Sequence, residues 1–414
     1  MTTNSSRAPA MWALPFGVTL LAMFALQLSN LGFSPLLPSI QQEFGMNYKQ
    51  LGLFTGMYGL LALALSVPAG LSAKRFGEKR VLGLGLLGVA AGSLLLGQAW
   101  DFESALAFRG LTIFGYRFAF VCVLIAVALT APPSLRGRTM GVLGATSALS
   151  SVIGAPLSGA LVDGLGWRTA ILGYAAMAII GVIAFLTVYR PVVREDLKGT
   201  ETRMDKSTPR RSAFLSPVVW ILALIVGLGG FGQFTVTYFV PSVAKALYGL
   251  DARSAGFIIS TGYMTAIVVN LLVGLLTDRF NKLVVLGCIF ILLAIASSSM
   301  TIEHLAIFRL STAAVIGLGF TAANQLYGLA GGVMPRHETG NAMGVVSLGA
   351  GLFGYFGPQM LGILRDWTGS FAAGFYMVAI ADVITLGLIL LLYRMTGGRV
   401  IRPMAGERTA EGTT

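Results

Sequence analysis

The chain has 414 residues, of which 55 % are hydrophobic and only 11 % charged, and its formal net charge is +12 at pH 7. An ordinary soluble domain is about 25 % charged, so a water-facing surface of this size cannot be covered. Disorder, which needs low hydrophobicity, and a collagen repeat, which the 53 glycines do not form, are excluded too. The composition is that of an integral membrane protein, and its surplus of Lys and Arg fits cytoplasmic loops rather than nucleic-acid contacts.

A helix of about 20 apolar residues crosses roughly 30 Å of hydrocarbon, and twelve stretches qualify. The first, 12–33, holds Gln27 and Asn30 and is followed by no small-residue cleavage site, so it reads as a span and not a signal peptide. Next come 51–73 with Tyr58, 81–98, 105–131 with Arg109 near its start and Arg117 near its middle, 139–162 and 168–189. A polar stretch of mixed charge, 190–216, then divides the chain, with room for a short surface helix. The second set is 217–243 with Gln233 and Tyr238, 254–277 with Asn270, 283–301, 305–333 with Arg309, Asn324 and Gln325, 341–364 with Gln359, and 370–393 with Asp382. The expected organisation is a tail 1–11, a six-helix bundle 12–189, a linker 190–216, a second bundle 217–393 and a tail 394–414.

With the N-terminus inside, 21 of the 29 Lys and Arg fall on the cytoplasmic side and five on the other (Lys49, Arg168, Lys245, Arg253 and Arg365). That split obeys the positive-inside rule and puts both termini in the cytoplasm.

The halves repeat. At an offset of 203, Met140, Gly141, Val142, Gly154, Gly159 and Asp163 fall on Met343, Gly344, Val345, Gly357, Gly362 and Asp366. The loop after span two, GLSAKRFGEKRVLG from Gly70, recurs after span eight as GLLTDRFNKLVVLG from Gly274, and Arg109 and Arg309 open spans four and ten at an offset of 200. Glycines and charges in the same order on three pairs of elements mark two homologous six-helix bundles.

Over nearly its whole length the chain resembles the major facilitator superfamily of secondary transporters. The family's loop between spans two and three runs G-x-x-x-D-R-x-G-R-R/K; Gly70, Arg75, Gly77, Lys79 and Arg80 match it here, whereas Lys74 stands at the acidic position. The second copy keeps Gly274, Asp278 and Arg279, with Asn281 at the glycine position. Arg109 with Gly115 is similar to the span-four motif, and Gly154, Pro156 and Gly159, echoed by Gly357 and Pro358, are similar to the span-five motif.

The resemblance implies an all-helical protein of two bundles that rock around a site at the midplane, open to one side at a time. Glycine-rich spans five and eleven serve close packing and gating. An acid suits a positive helix N-terminus and a lysine does not, so Lys74 removes the brace that the family places there. Asp278 is left as a one-sided latch near Arg138 and Thr139, holding the cytoplasmic side closed.

Arg117 stands out because a charge near the bilayer centre is expensive and seldom faces lipid. A planar guanidinium suits a carboxylate, and Arg117 is the expected anion anchor; Arg109 and Arg309 lie nearer the outer ends and read as structural. Gln27, Asn30, Tyr58, Gln233, Tyr238, Asn270, Asn324, Gln325 and Gln359 are the uncharged binding candidates on the spans expected to line the cavity. Phe231, Phe234, Tyr116 and Trp220 read as packing or interfacial anchors. Of 17 Asp and Glu, only Asp382 lies deep in a span, which makes it the one carboxylate available for coupling to a proton or ion.

One central arginine facing no acid favours a small, monocarboxylate-like organic anion as substrate. The competing readings are a drug exporter, supported by Ala155-Pro156 and Gly159, and a non-transporting receptor, for which the short tails leave no signalling module. G-x-S-x-G, H-E-x-x-H and a Walker A loop are missing, against an enzyme or an ATP-driven pump. Cys122 and Cys288 lie in apolar stretches and only two histidines occur, so neither a disulfide framework nor a metal site is expected. No cofactor is implied, and the expected form is a monomer in the plasma (inner) membrane.

Overall fold

A computed structural model describes residues 8–130, 136–189, 216–333 and 339–396. The described residues are all-helical. The first half comprises α1 (Ala8–Leu31), α2 (Leu37–Glu43), α3 (Tyr48–Phe76), α4 (Glu78–Leu96), α5 (Phe102–Thr130), α6 (Arg136–Leu165) and α7 (Trp167–Val188). The second comprises α8 (Pro217–Tyr248), α9 (Ala252–Arg279), α10 (Lys282–Ser299), α11 (Leu305–Val333), α12 (Thr339–Thr368) and α13 (Ala372–Met395).

Eleven of the predicted spans are helices long and apolar enough to cross a membrane; α1 and α2 join through a 3-10 turn at Ser34–Leu36 to make the first of these, reaching Glu43 and not the predicted 33. The twelfth is α12, whose 30 residues are diluted by glycines, Pro358 and Gln359. It packs closely on α3 and α8, so a long apolar face is not required of it. The linker 190–216 and both tails fall outside the described residues, but for Ser216 and the ends of α1 and α13.

Local chemistry sets the helix ends. Asn47 accepts the Gln50 amide at 2.8 Å while the Gln50 side chain accepts the Asn47 amide at 3.0 Å, a reciprocal cap that starts α3. Asp251 caps α9 by accepting the Ser254 amide at 2.8 Å. Gly77, at φ 86°, turns the chain between α3 and α4, a conformation a side chain rarely adopts. Leu84, Ile183, Leu271 and Ile380 lie exposed on the outer faces of their helices, as a lipid-facing surface requires.

In each half the helices pack mainly on their own neighbours, and two seams join the halves: α3 on α12 and α6 on α9. These are repeat-related pairs, spans two and eleven and spans five and eight. The apolar core follows the same division. On the outer side one continuous cluster draws on both bundles, running from Leu28, Phe54 and Tyr174 to Tyr238, Ile259 and Phe375. On the inner side it splits into one cluster around Leu82, Val123 and Phe185 and another around Ile225, Phe290 and Leu326.

Candidate functional site

The seams fix the geometry of the space between the bundles. In their outer half, backbone meets backbone. A Cβ on Gly59 of α3 would lie 2.3 Å from the Tyr355 amide nitrogen and 2.6 Å from the Gly351 carbonyl oxygen, and one on Gly256 of α9 would lie 2.4 Å from the Ala155 carbonyl oxygen. Gly159 is as tightly placed, 2.3 Å from the Ala252 carbonyl oxygen. On the inner side, a Cβ on Gly70, Gly141, Gly144, Gly274 or Gly344 would meet nothing within 4 Å among the described residues. There a cleft of about 210 Å³ opens between Ser66 of α3 and Ser347 of α12. Among the described residues the two halves are sealed toward the outer face and parted toward the inner one.

Two carboxylates hold the outer side shut. Asp163, at the end of α6, accepts the amides of Ala252 at 3.2 Å and Arg253 at 2.9 Å, the first turn of α9 in the other bundle. Asp366, at the end of α12, accepts the amides of Tyr48 at 3.0 Å and Lys49 at 2.7 Å, the first turn of α3. Each helix start thus receives a carboxylate from the other bundle beyond its own cap, and negative charge is favoured there. The Ser260 hydroxyl of α9 adds a 2.8 Å bond to the Val152 carbonyl of α6.

Below this seal Arg117 occupies the middle of α5, half-buried, with its guanidinium 4.3 Å from the centre of the Tyr58 ring on α3. Tyr58 contacts the Tyr116 ring at 5.6 Å and, across the bundle interface, the Phe234 ring of α8 at 6.0 Å. Tyr238 of α8 and Tyr327 of α11 lie within electrostatic range of the guanidinium. The Arg117 Nε is buried without a hydrogen-bond partner among the described residues, and no described carboxylate pairs with the side chain. Aromatic faces hold such a cation without consuming its donors, leaving its N–H groups for a planar anion.

The remaining candidates are spread over several environments. Gln27 is engaged at both ends, accepting from the Tyr116 hydroxyl at 2.5 Å and donating to the Ser147 hydroxyl, so it shapes the wall behind Arg117. Asn30 accepts from the Tyr238 hydroxyl at 3.2 Å, a bond from one bundle to the other. Gln233 is buried where α8 meets Gly319 of α11. Asn324 is exposed and reaches Asn270 at 3.5 Å, and Gln325 beside it is half-buried. Gln359 is 8 % exposed with its Oε1 unpartnered among the described residues, and its Cα would lie 2.9 Å from a Cβ on Gly52, within the outer seam and not the cavity.

Of the motif residues, Gly154 faces Leu28 of α1 and Gly357 faces Thr235 of α8, each within its own bundle, whereas Pro358 turns its carbonyl toward Gly52. Lys74, Arg75, Arg80, Arg279 and Arg309 are exposed. The side chains of Asp278 and Arg138 fall outside the described residues, so the expected inner latch does too. Arg109 is 2 % exposed, stacked 3.8 Å over Phe33 and donating to the Ser29 carbonyl at 3.3 Å. Asp382 is 2 % exposed and accepts from the Ser297 hydroxyl of α10 at 2.9 Å, inside the second bundle.

Sequence reasoning missed three features. Tyr327 follows Asn324 by three residues, the spacing of one helix face, and that spacing was the available signal. Asp163 and Asp366 were visible as a repeated pair, though only the fold shows that each lies beside a helix start. Glu78, placed in a loop by the sequence, is 3 % exposed in the first turn of α4 and accepts from the Tyr189 hydroxyl at 3.4 Å. Among the described residues no group of three His, Cys, Asp or Glu side chains comes together as a metal site would require.

The sequence profile described as Major Facilitator Superfamily matches residues 19–358. The chain belongs to the major facilitator superfamily. It is a multi-pass membrane transporter of that superfamily, which is a family of transporters and not of enzymes. It is 25 % identical over 409 residues to a putative tartrate transporter of Agrobacterium vitis, covering 92 % of this chain and 89 % of that one. It is 24 % identical over 380 residues to a probable sulfoacetate transporter of Cupriavidus necator, covering 86 % and 87 %. A crystal structure of a bacterial homolog to the human lysosomal transporter Spinster shares the fold with a TM-score of 0.77 at 17 % identity, covering 97 % of this chain and all of that one.

Proposed function

We propose that this superfamily member carries a small, monocarboxylate-like organic anion through the cytoplasmic membrane by alternating access, with Arg117 as the substrate anchor. The observation that carries the reading is the half-buried guanidinium at mid-membrane, stacked on Tyr58 and free of any carboxylate among the described residues. A cation in that position is stabilised by an incoming anion and repels a lipophilic cation. The tartrate and sulfoacetate named for two relatives are themselves organic anions, which supports the class. The drug-exporter reading would need an acid facing the cavity, and no described residue supplies one. A bound carboxylate can carry its own proton, so symport does not depend on Asp382.

The test is thermal stabilisation of the purified protein by a panel of small carboxylates, inorganic anions and lipophilic cations, run beside Arg117→Gln and Arg117→Lys. A ligand that binds the folded state raises its stability by mass action, by about 2.7 kcal/mol at a hundred times Kd. Stabilisation by one class of organic anion, absent in Arg117→Gln and partly kept in Arg117→Lys, is the expected result. Stabilisation by lipophilic cations that survives Arg117→Gln would replace this reading with the exporter.

A further inference from the structure

Arg109 has a feature that the inward-open site does not use. It is 2 % exposed, and eight residues along α5 place it ~12 Å to the outer side of Arg117. Its only hydrogen bond among the described residues is the 3.3 Å contact to the Ser29 carbonyl; its Nε is buried without a partner, and no described carboxylate approaches. A buried guanidinium held, among the described residues, by one long carbonyl bond and the Phe33 ring is costly without an anion, and one long bond to a carbonyl makes a weak brace.

The wall beside Arg109 is tied to the opposite bundle. The Tyr238 hydroxyl of α8 reaches across to Asn30, the neighbour on α1 of the Ser29 whose carbonyl Arg109 binds. α8 belongs to the bundle that must withdraw when the outer seam opens. Parting of the seam would carry Tyr238 away with α8 and uncover Arg109 toward the outer mouth.

We propose that Arg109 is the anion-binding station of the outward-open state, as Arg117 is that of the inward-open state. The inference rests on the anion reading above and adds a second site to the same path. In the inward-open state the charge of Arg109 is sealed, held by one carbonyl and the Phe33 ring with no described carboxylate beside it; an anion entering from outside neutralises it first and then passes inward to Arg117.

Phenylglyoxal, which modifies accessible guanidinium groups, tests this when each arginine is read separately by peptide mass spectrometry. The protein is held in lipid nanodiscs as wild type and as Asp163→Asn/Asp366→Asn, which removes the outer carboxylates. Gly59→Leu provides a second variant that props the same seam open by bulk. Acetate, lactate and nitrate, each alone, are the anion probes. In the wild type Arg117 should react and Arg109 be spared; in either variant modification of Arg109 should rise by roughly tenfold, and an anion that protects Arg117 should protect Arg109 as well. The proposal is overturned if Arg109 stays unmodified while an outer reporter cysteine shows the seam open, or if it reacts equally with and without anions that protect Arg117. Protection of neither arginine by any probe would instead overturn the anion reading itself.

Discussion

The outer and inner halves of this protein are built from the same repeat yet behave as different materials. Outside, the two bundles share one apolar core, touch backbone to backbone at Gly59 and Gly256, and exchange carboxylate bonds from Asp163 and Asp366. Inside, the core divides in two and the glycine faces meet no neighbour among the described residues. Lipid supplies no hydrophobic drive between helices, so close approach and a few polar contacts decide which faces hold together. The difference teaches that alternating access here is a competition between two sets of contacts on repeat-related helices, of which the outer set is formed in this state.

The strongest way to break the comparison is to fill the outer seam. Gly59→Leu places side-chain atoms where the backbone of Gly351 and Tyr355 already lies, and such overpacking should cost about 3 kcal/mol or more against the closed outer face. Cysteines near the outer mouth should then react more than a hundredfold faster, whereas Gly144→Leu, which points into open space, should leave that reactivity unchanged. A milder perturbation is Asp163→Asn with Asp366→Asn. Charge at a helix N-terminus is worth about 0.3–1 kcal/mol per site, so the pair should shift the outward population by about three-fold to about thirtyfold, read by the same accessibility assay.

The inner side offers a smaller and opposite effect. If Asp278 closes the cytoplasmic face as the sequence suggests, Asp278→Asn should favour the inward-open state by a few-fold, and an unchanged balance would remove that latch from the account. Smallest of all is the cap of α9. Hydrogen bonds from Ser254 hold the Asp251 carboxyl below the usual carboxylate range, so its contribution is present above the unfolded-state value near 4 and is lost as pH falls through the lowered one. Asp251→Ala should cost about 1 kcal/mol at pH 7, and the deficit should vanish in acid; a deficit independent of pH would assign the effect to packing.

Much of the architecture was legible because membrane spans announce themselves by length and hydropathy and the repeat fixes their pairing. The break near Gly32 and the extension to Glu43 were not, because prolines at 35 and 38 read as the end of a span when the chain in fact restarts as α2. Arg117 was legible for a simple reason: a lone charge in an apolar stretch has few explanations. Its surroundings were not. Tyr58 was a candidate by its place on span two, but that its ring would carry the guanidinium and in turn meet Phe234 of the other bundle is visible only in the fold. Gln27 looked like a ligand until Tyr116 and Ser147 took both of its ends. Asp163 and Asp366 illustrate the general gap: the repeat marked the pair, but a carboxylate becomes a latch only through the helix start that the fold places beside it.

The most direct test is a pair of spin-label distances in lipid, one across the outer ends between Gln98→Cys and Thr301→Cys and one across the inner ends between Arg80→Cys and Val284→Cys. In the wild type the outer pair should be dominated by a short distance and the inner pair by a long one. Replacing Asp163 and Asp366 by Asn should lengthen the first and shorten the second together. If the two distances stay fixed, or change independently of each other, the opposition between outer and inner contacts is not what sets the state of this protein.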